Sequence, residues 1–222
     1  MNCWYYDVSE LEDACLFQHA LSSIPWENRK HSIMKLRFHK DQRLSLGAGV
    51  LATYALRQTG AKDLTLEYGD YGKPYLAREG GIHFNLSHSG TLAVCAVSDH
   101  PVGIDVEQLR EFPDLVADRC FTAEECLWME KQTDRSRAAF RLWTRKESYM
   151  KLSGEGLHMN VGSFSVMPDS DVSQEYCFNE NEIKAHLISV CTAQQQSAKF
   201  IEFNMKHDAV FCCDEIIKNR ME

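Results

Sequence analysis

Three short strand-like segments crowded between residues 82 and 106 constrain the fold of this chain more than any other feature. Residues 82–86, 92–97 and 102–106 are each five or six residues long. Runs of that length are too short to be buried helices, and the breaks between them are abrupt. Ser87-His88-Ser89-Gly90 separates the first two, and Pro101 precedes the third. The three read as strands, and the first two as a hairpin with a polar tip. A sheet at the centre of the chain has to be covered by the segments that flank it.

Those flanks carry helical spacing on both sides. Before the strands, residues 2–8 read as a strand and residues 11–21 as a helix closed by Pro25. Residues 27–37 and 41–58 follow as helices, with Gly60 as a stop. Residues 64–68 alternate as a strand does, and Gly69-Asp70-Tyr71-Gly72-Lys73-Pro74 is a turn-rich loop. After the strands, Thr122-Ala123-Glu124-Glu125 has the form of a capping box. Residues 137–152 form the clearest helix, ended by Ser153-Gly154, and residues 164–166, 184–190, 200–203 and 210–213 are strand-like. Each half thus holds helices and about three strands. The expected fold is α+β in two similar lobes, residues 1–101 and 102–222.

Composition narrows the class. With 222 residues, 44% hydrophobic and 25% charged, the chain is neither collagenous, low-complexity nor wholly disordered. A net charge of −8 argues against general binding of nucleic acid. That charge is uneven: residues 1–101 hold ten Lys/Arg against eleven Asp/Glu, and residues 102–222 fourteen against twenty-one. Two windows run the other way, one around Arg29, Lys30, Lys35, Arg37, Lys40 and Arg43, the other from Lys131 to Lys151. Such windows are either solvated helix faces or islands that hold a small anion.

The nine cysteines are scattered, odd in number and without a C-x-x-C pair, which points to a reducing cytoplasm and no zinc site. No signal-peptide pattern opens the sequence, and no run nears the ~18 apolar residues of a membrane span. A soluble protein without membrane contact is expected. Phosphate-loop, dinucleotide, zincin and nucleophile-elbow motifs are absent.

The residues able to do chemistry cluster late in the first half and early in the second. On a strand spanning Gly103-Ile104-Asp105-Val106-Glu107, the two carboxylates share one face and the two aliphatic side chains the other. Paired carboxylates repel unless a cation or proton lies between them, and an all-oxygen set favours magnesium over zinc. An amphipathic edge strand with solvent-facing acids gives the same pattern. Glu147 and Lys151 stand four apart on the 137–152 helix, as a simple ion pair or as metal ligand and phosphate contact. Ser87, His88 and Ser89 offer a polar tip, and Lys73-Pro74 fixes a lysine in an extended conformation.

Taken in order, Gly72-Lys73-Pro74, Phe84-Asn85-Leu86-Ser87-His88-Ser89, Val102-Gly103-Ile104-Asp105-Val106-Glu107 and Trp143-Thr144-Arg145-Lys146-Glu147-Ser148-Tyr149-Met150-Lys151 resemble the Sfp-type 4′-phosphopantetheinyl transferases. The resemblance implies two α+β lobes related by pseudo-twofold symmetry, with coenzyme A in the cleft between them. It implies transfer of the phosphopantetheine arm to a serine of an apo acyl, peptidyl or aryl carrier protein, with adenosine 3′,5′-bisphosphate released. Asp105, Glu107 and Glu147 would hold Mg²⁺, and Lys151 would contact the same phosphates. Glu147 or a metal-bound water would act as base. Lys73, Pro74, Ser87 and His88 match positions lining the adenosine and 3′-phosphate pocket, to which Arg29 or Arg43 would add charge. Glu125 falls near an acidic position of the family but equally serves its capping box. A monomer of the broad-range, single-chain type is expected, docking its carrier through exposed apolar residues near 112–121. Rival readings are a non-catalytic binder of coenzyme A or carrier and a Mg²⁺-dependent nucleotide hydrolase.

Overall fold

The computed structural model describes residues 1–205. In chain order it comprises β1 (Asn2–Asp7), α1 (Ala14–Ser23), α2 (Glu27–Lys35), α3 (His39–Gln58), β2 (Leu66–Tyr68), β3 (Pro74–Leu76), β4 (His83–Ser89), β5 (Leu92–Ser98) and β6 (Val102–Gln108). Then come α4 (Asp114–Cys120), α5 (Ala123–Glu130), α6 (Arg135–Ser153), α7 (Asp171–Glu175), β7 (Cys177–Ile183), β8 (His186–Thr192) and β9 (Lys199–Glu202), with short 3₁₀ turns at Val8–Glu12, Gly156–His158 and Val161–Ser163. The fold is α+β.

The two halves share one connectivity. In each, a strand leads through helices to one long helix and then to a hairpin whose second strand pairs antiparallel with the first strand. That gives the order β4-β5-β1 in one sheet and β6-β8-β7 in the other. The chain then crosses back, and β9 adds parallel to β1, so Phe203 and Met205 pack in the core of the first half.

Alternation along the strands produces four layers. On β5, Ala93, Cys95 and Val97 turn to a core shared with α3, whereas Leu92, Val94 and Ala96 turn inward. They meet Val102, Ile104 and Val106 of β6 and Ile188 and Val190 of β8 in a central core between the sheets. On the far face, α6 packs with α4, α5 and Leu187 in a third core built on Phe112, Phe121 and Phe140. The order is helix, sheet, sheet, helix, as expected for two-period strands that bury both faces.

Local chemistry sets the ends. Thr122 and Glu125 form both bonds of the capping box. Asp134 caps the start of α6, and Gly154, in the left-handed region at φ 83°, ends it. Several expectations shift. β4 runs on through Ser89, and the turn is Gly90-Thr91, so Ser87 and His88 lie on the strand and not at the hairpin tip. Residues 164–166 are not a strand, because their backbone serves side chains, Phe164 and Val166 accepting from Lys146 and Arg145. Residues 184–185 are the turn before β8, both with positive φ, and β3, β7, α4 and α7 are elements that the spacing does not predict. Phe112 and Phe121 are core residues, leaving Leu115 as the exposed large hydrophobic side chain of that segment. The strand expected at 210–213, with Cys212 and Cys213, lies outside the described residues. Among the described residues every cysteine is a free thiol, and no helix is long and apolar enough to cross a membrane.

Candidate active site

β6 is an edge strand of its sheet, and its outer edge is taken by side chains of β4. Asn85 Oδ1 accepts from the Ile104 N–H at 2.9 Å, and Ser89 Oγ from the Gln108 N–H at 3.2 Å. The seam joins the two halves without closing them into one sheet, and it leaves the odd-numbered face of β6 looking at α6. Gly103 makes that approach close: a Cβ there would lie 1.9 Å from the Ser148 carbonyl oxygen. Two and four residues further on, Asp105 and Glu107 occupy the space that opens between strand and helix.

The charges there are tightly coupled. Asp105 is buried, and its Oδ1 accepts from Lys151 Nζ at 2.6 Å and from Ser87 Oγ at 2.8 Å. Lys151 also donates to Ser87 Oγ at 2.9 Å, which closes a triangle of carboxylate, ammonium and hydroxyl. The other carboxylate oxygen of Asp105, Oδ2, is buried without a hydrogen-bond partner. Glu107 accepts from Ser89 Oγ at 2.8 Å, and burial followed by repulsion from Asp105 raises its pKa. Glu147 is pushed up to about 7, first by burial, then by the charges of Asp105 and Glu107, against the pull of Lys151. These groups line one cleft of about 470 Å³ together with Arg29, Pro74, Asn85, His88 and Trp143. His88 is held below the usual histidine value by partial desolvation and by the positive charges of Arg29 and Lys151.

The structure therefore brings together Asp105, Glu107, Glu147, Lys151, Ser87, His88 and Pro74. Arg29 joins them, its guanidinium donating to the Ser45 carbonyl at 2.8 Å while Nε has no partner. Arg43 does not: it pairs with Glu12 at 3.0 Å and lines a separate groove with Phe17 and Met34. Lys73 is turned away from the cleft. Its ammonium donates to the carbonyls of Lys151, Leu152 and Val102, and burial lowers its pKa to about 8. Glu125 is fully buried and pairs with Lys146 at 2.9 Å inside the second half's core.

Asn85 and Trp143, which the sequence offers only as members of their motifs, line the cleft, and Ser89, expected at a polar tip, supports it through Glu107. The signal for Asn85 and Ser89 is a period of two: polar residues at 83, 85, 87 and 89, with Phe84 and Leu86 between the first three.

Among the described residues no three His, Cys, Asp or Glu side chains are already drawn to ligating distance of one another. The donor set nevertheless suits a hard divalent cation, because it consists of carboxylate oxygens and includes the orphaned Asp105 Oδ2.

Residues 101–202 match the 4′-phosphopantetheinyl transferase superfamily, and residues 12–100 match the 4′-phosphopantetheinyl transferase N-terminal model. The 4′-phosphopantetheinyl transferase gsp of Aneurinibacillus migulanus is 30% identical over 174 residues, covering 77% of this chain and 72% of its own. The transferase psf-1 of Bacillus pumilus is 32% identical over 187 residues, 76% of this chain and 78% of its own. A Bacillus subtilis 4′-phosphopantetheinyl transferase is 33% identical over 181 residues, 74% and 81% respectively. The chain belongs to the 4′-phosphopantetheinyl transferase superfamily. This transferase places the boundary between its two family matches on the loop that leads into β6, where the seam begins.

Proposed function

We propose that this transferase moves the 4′-phosphopantetheine arm of coenzyme A onto a serine of an apo acyl, peptidyl or aryl carrier protein, releasing adenosine 3′,5′-bisphosphate. The observation that carries this reading is the triangle of Asp105, Lys151 and Ser87 beside Glu107 and Glu147. It offers a polyanion both an ammonium and a set of carboxylates able to share a cation with it. Asp105, Glu107 and Glu147 would hold Mg²⁺, which when bound offsets pyrophosphate charge. The serine oxygen attacks the phosphorus that bears the pantetheine arm, and the bond from that phosphorus to the bridging oxygen breaks. The serine proton passes to Glu147 or to a water.

Lys151 would counter the phosphate charge, and Ser87 would keep its ammonium in place. Arg29, in the cleft with an unpartnered N–H, suits a terminal phosphate better than Arg43, which is engaged by Glu12. His88 and Pro74 line the wall where the nucleotide would lie. The shared connectivity supports lobes related by pseudo-twofold symmetry, the first of residues 1–101 and the second beginning at 102. Free thiols support a reducing cytoplasmic setting, and a monomer without nucleic-acid or membrane contact fits the acidic chain.

The test is incubation with apo carrier, coenzyme A and Mg²⁺, read by intact mass. A phosphopantetheine increment is expected; its absence across fatty-acid and peptidyl carriers removes the reading. Glu147→Gln should keep coenzyme A binding and lose on the order of 10²–10⁴ in turnover, the range general-base catalysis supplies.

A further inference from the structure

We infer that Lys73 is a positioning residue, one that sets the place of the Lys151 ammonium and never touches the substrate. A lysine ammonium has three N–H donors and no acceptor. Here all three are taken by carbonyl oxygens, of Lys151 at 2.6 Å, Leu152 at 3.1 Å and Val102 at 3.2 Å. No donor remains for a phosphate. Two of these acceptors are last-turn carbonyls of α6, which lack intrahelical partners and lie at the negative end of the helix dipole. The third belongs to the first residue of β6.

The arrangement couples exactly the two elements whose separation matters. Lys151 supplies the shortest acceptor through its backbone, while its side chain reaches Asp105 at 2.6 Å and Ser87 at 2.9 Å. Asp105 stands three residues along the strand whose start Lys73 also holds. The strand and helix are already pressed together at Gly103, where a Cβ would lie 2.5 Å from the Leu152 nitrogen. Lys73 adds a charge-assisted clasp at the open end of that contact. It reaches in from the other half of the molecule, on a loop shaped by Gly72 at φ 81° and by the proline that follows. The first half thereby fixes where the second half's ammonium and carboxylate meet.

This inference rests on the transfer reading, and its test separates the two. Lys73→Met keeps an unbranched stem out to the Cε position and removes the ammonium with all three donors. Turnover should fall on the order of 10–100-fold, the scale of a small misplacement of a catalytic group. The preference for coenzyme A over coenzyme A lacking its 3′-phosphate should stay as in the wild type, and Lys73→Met added to Lys151→Ala should cost no further turnover. Lys73→Arg, which retains charge and donors, should recover most of the loss. Independently of any transfer, the Lys151 side-chain NMR signals, assigned through Lys151→Arg, should move toward those of an exposed lysine in the Lys73→Met protein. Unmoved Lys151 signals overturn the inference whether or not the wild type transfers anything. So does a collapsed preference for the 3′-phosphate, which would make Lys73 a ligand group, or a loss that adds fully to that of Lys151→Ala. A wild type that modifies no carrier sinks only the transfer reading.

Discussion

The two halves are built to one plan and put to different uses. In both, a strand is crossed by a long helix, α3 of 20 residues or α6 of 19, and followed by a hairpin. In the first half β1 lies inside its sheet, between β5 and β9. In the second half β6 remains an edge, faced by the side chains of β4. The close helix–strand contact also changes owner. In the first half the glycine is on the helix, Gly47, against Val8 and Tyr6; in the second it is on the strand, Gly103, against the backbone of α6. Against the closed strand's sheet, α3 buries the neutral polar residues Gln42 and Thr53 but no acid or cation. The open one places Asp105 and Glu107 against a helix that brings Trp143, Glu147 and Lys151. The candidate active site lies where the sheet was left incomplete.

The sharpest contrast is inside the helices. α6 buries Lys146 fully, bonded to Glu125 and to the carbonyls of Val161 and Phe164, with its ammonium over the Phe164 ring. Removing one member of a buried pair strands the other, at a cost of about 3–5 kcal/mol. Lys146→Ala should therefore lower stability in urea titration by that amount, although Lys146 is next in sequence to Glu147. A loss below about 1 kcal/mol would show that the pair is hydrated and that the two helices differ less than their burial indicates.

The glycines give the direct comparison. Gly103→Ala drives a methyl into backbone atoms of α6, which cannot yield unless the helix moves. A destabilisation of about 1–3 kcal/mol is expected, together with lost turnover, since the helix carries Glu147 and Lys151. Gly47→Ala meets a Val8 side-chain methyl at 2.3 Å, which can rotate or shift, and the alanine gains helix propensity. It should cost less in thermal or urea unfolding and leave turnover unchanged. Equal loss of turnover in both variants would mean that the first half's core is as tightly coupled to the cleft as the second's.

Much of the second half's chemistry was legible, because strands and helices impose fixed periods. Asp105 and Glu107 had to share a face, and Glu147 had to stand one turn from Lys151. The capping box at Thr122 was equally local. What could not be read were contacts set by the seam between halves. Nothing in Gly72-Lys73-Pro74 says that the ammonium ends on carbonyls almost 80 residues later, at 151 and 152. Nor does the sequence choose Arg29 over Arg43; that follows from Glu12 folding against the start of α3. The return of β9 to β1 was hidden for the same reason. A four-residue strand has no pattern that names its partner.

The smallest effect tests the openness of β6 itself. Glu147 is raised from 4.5 to about 7 by burial beside two other carboxylates. A raised carboxyl binds its proton more tightly in the folded state. The charged form therefore costs no stability below pH 4.5, where both states are protonated. The cost grows as pH rises between 4.5 and 7 and is complete above 7. A cation that requires the charged form has to displace that proton, so its affinity should fall as pH falls through 7. For one proton titrating there, Mg²⁺ binding followed by Trp143 fluorescence or calorimetry should weaken about threefold between pH 7.5 and 6.5. Glu147→Gln should bind more weakly overall and lose that slope. If the slope survives the substitution, the proton belongs to Glu107, whose pKa is raised by the same two causes, and the cation's competition is with the strand and not with the helix.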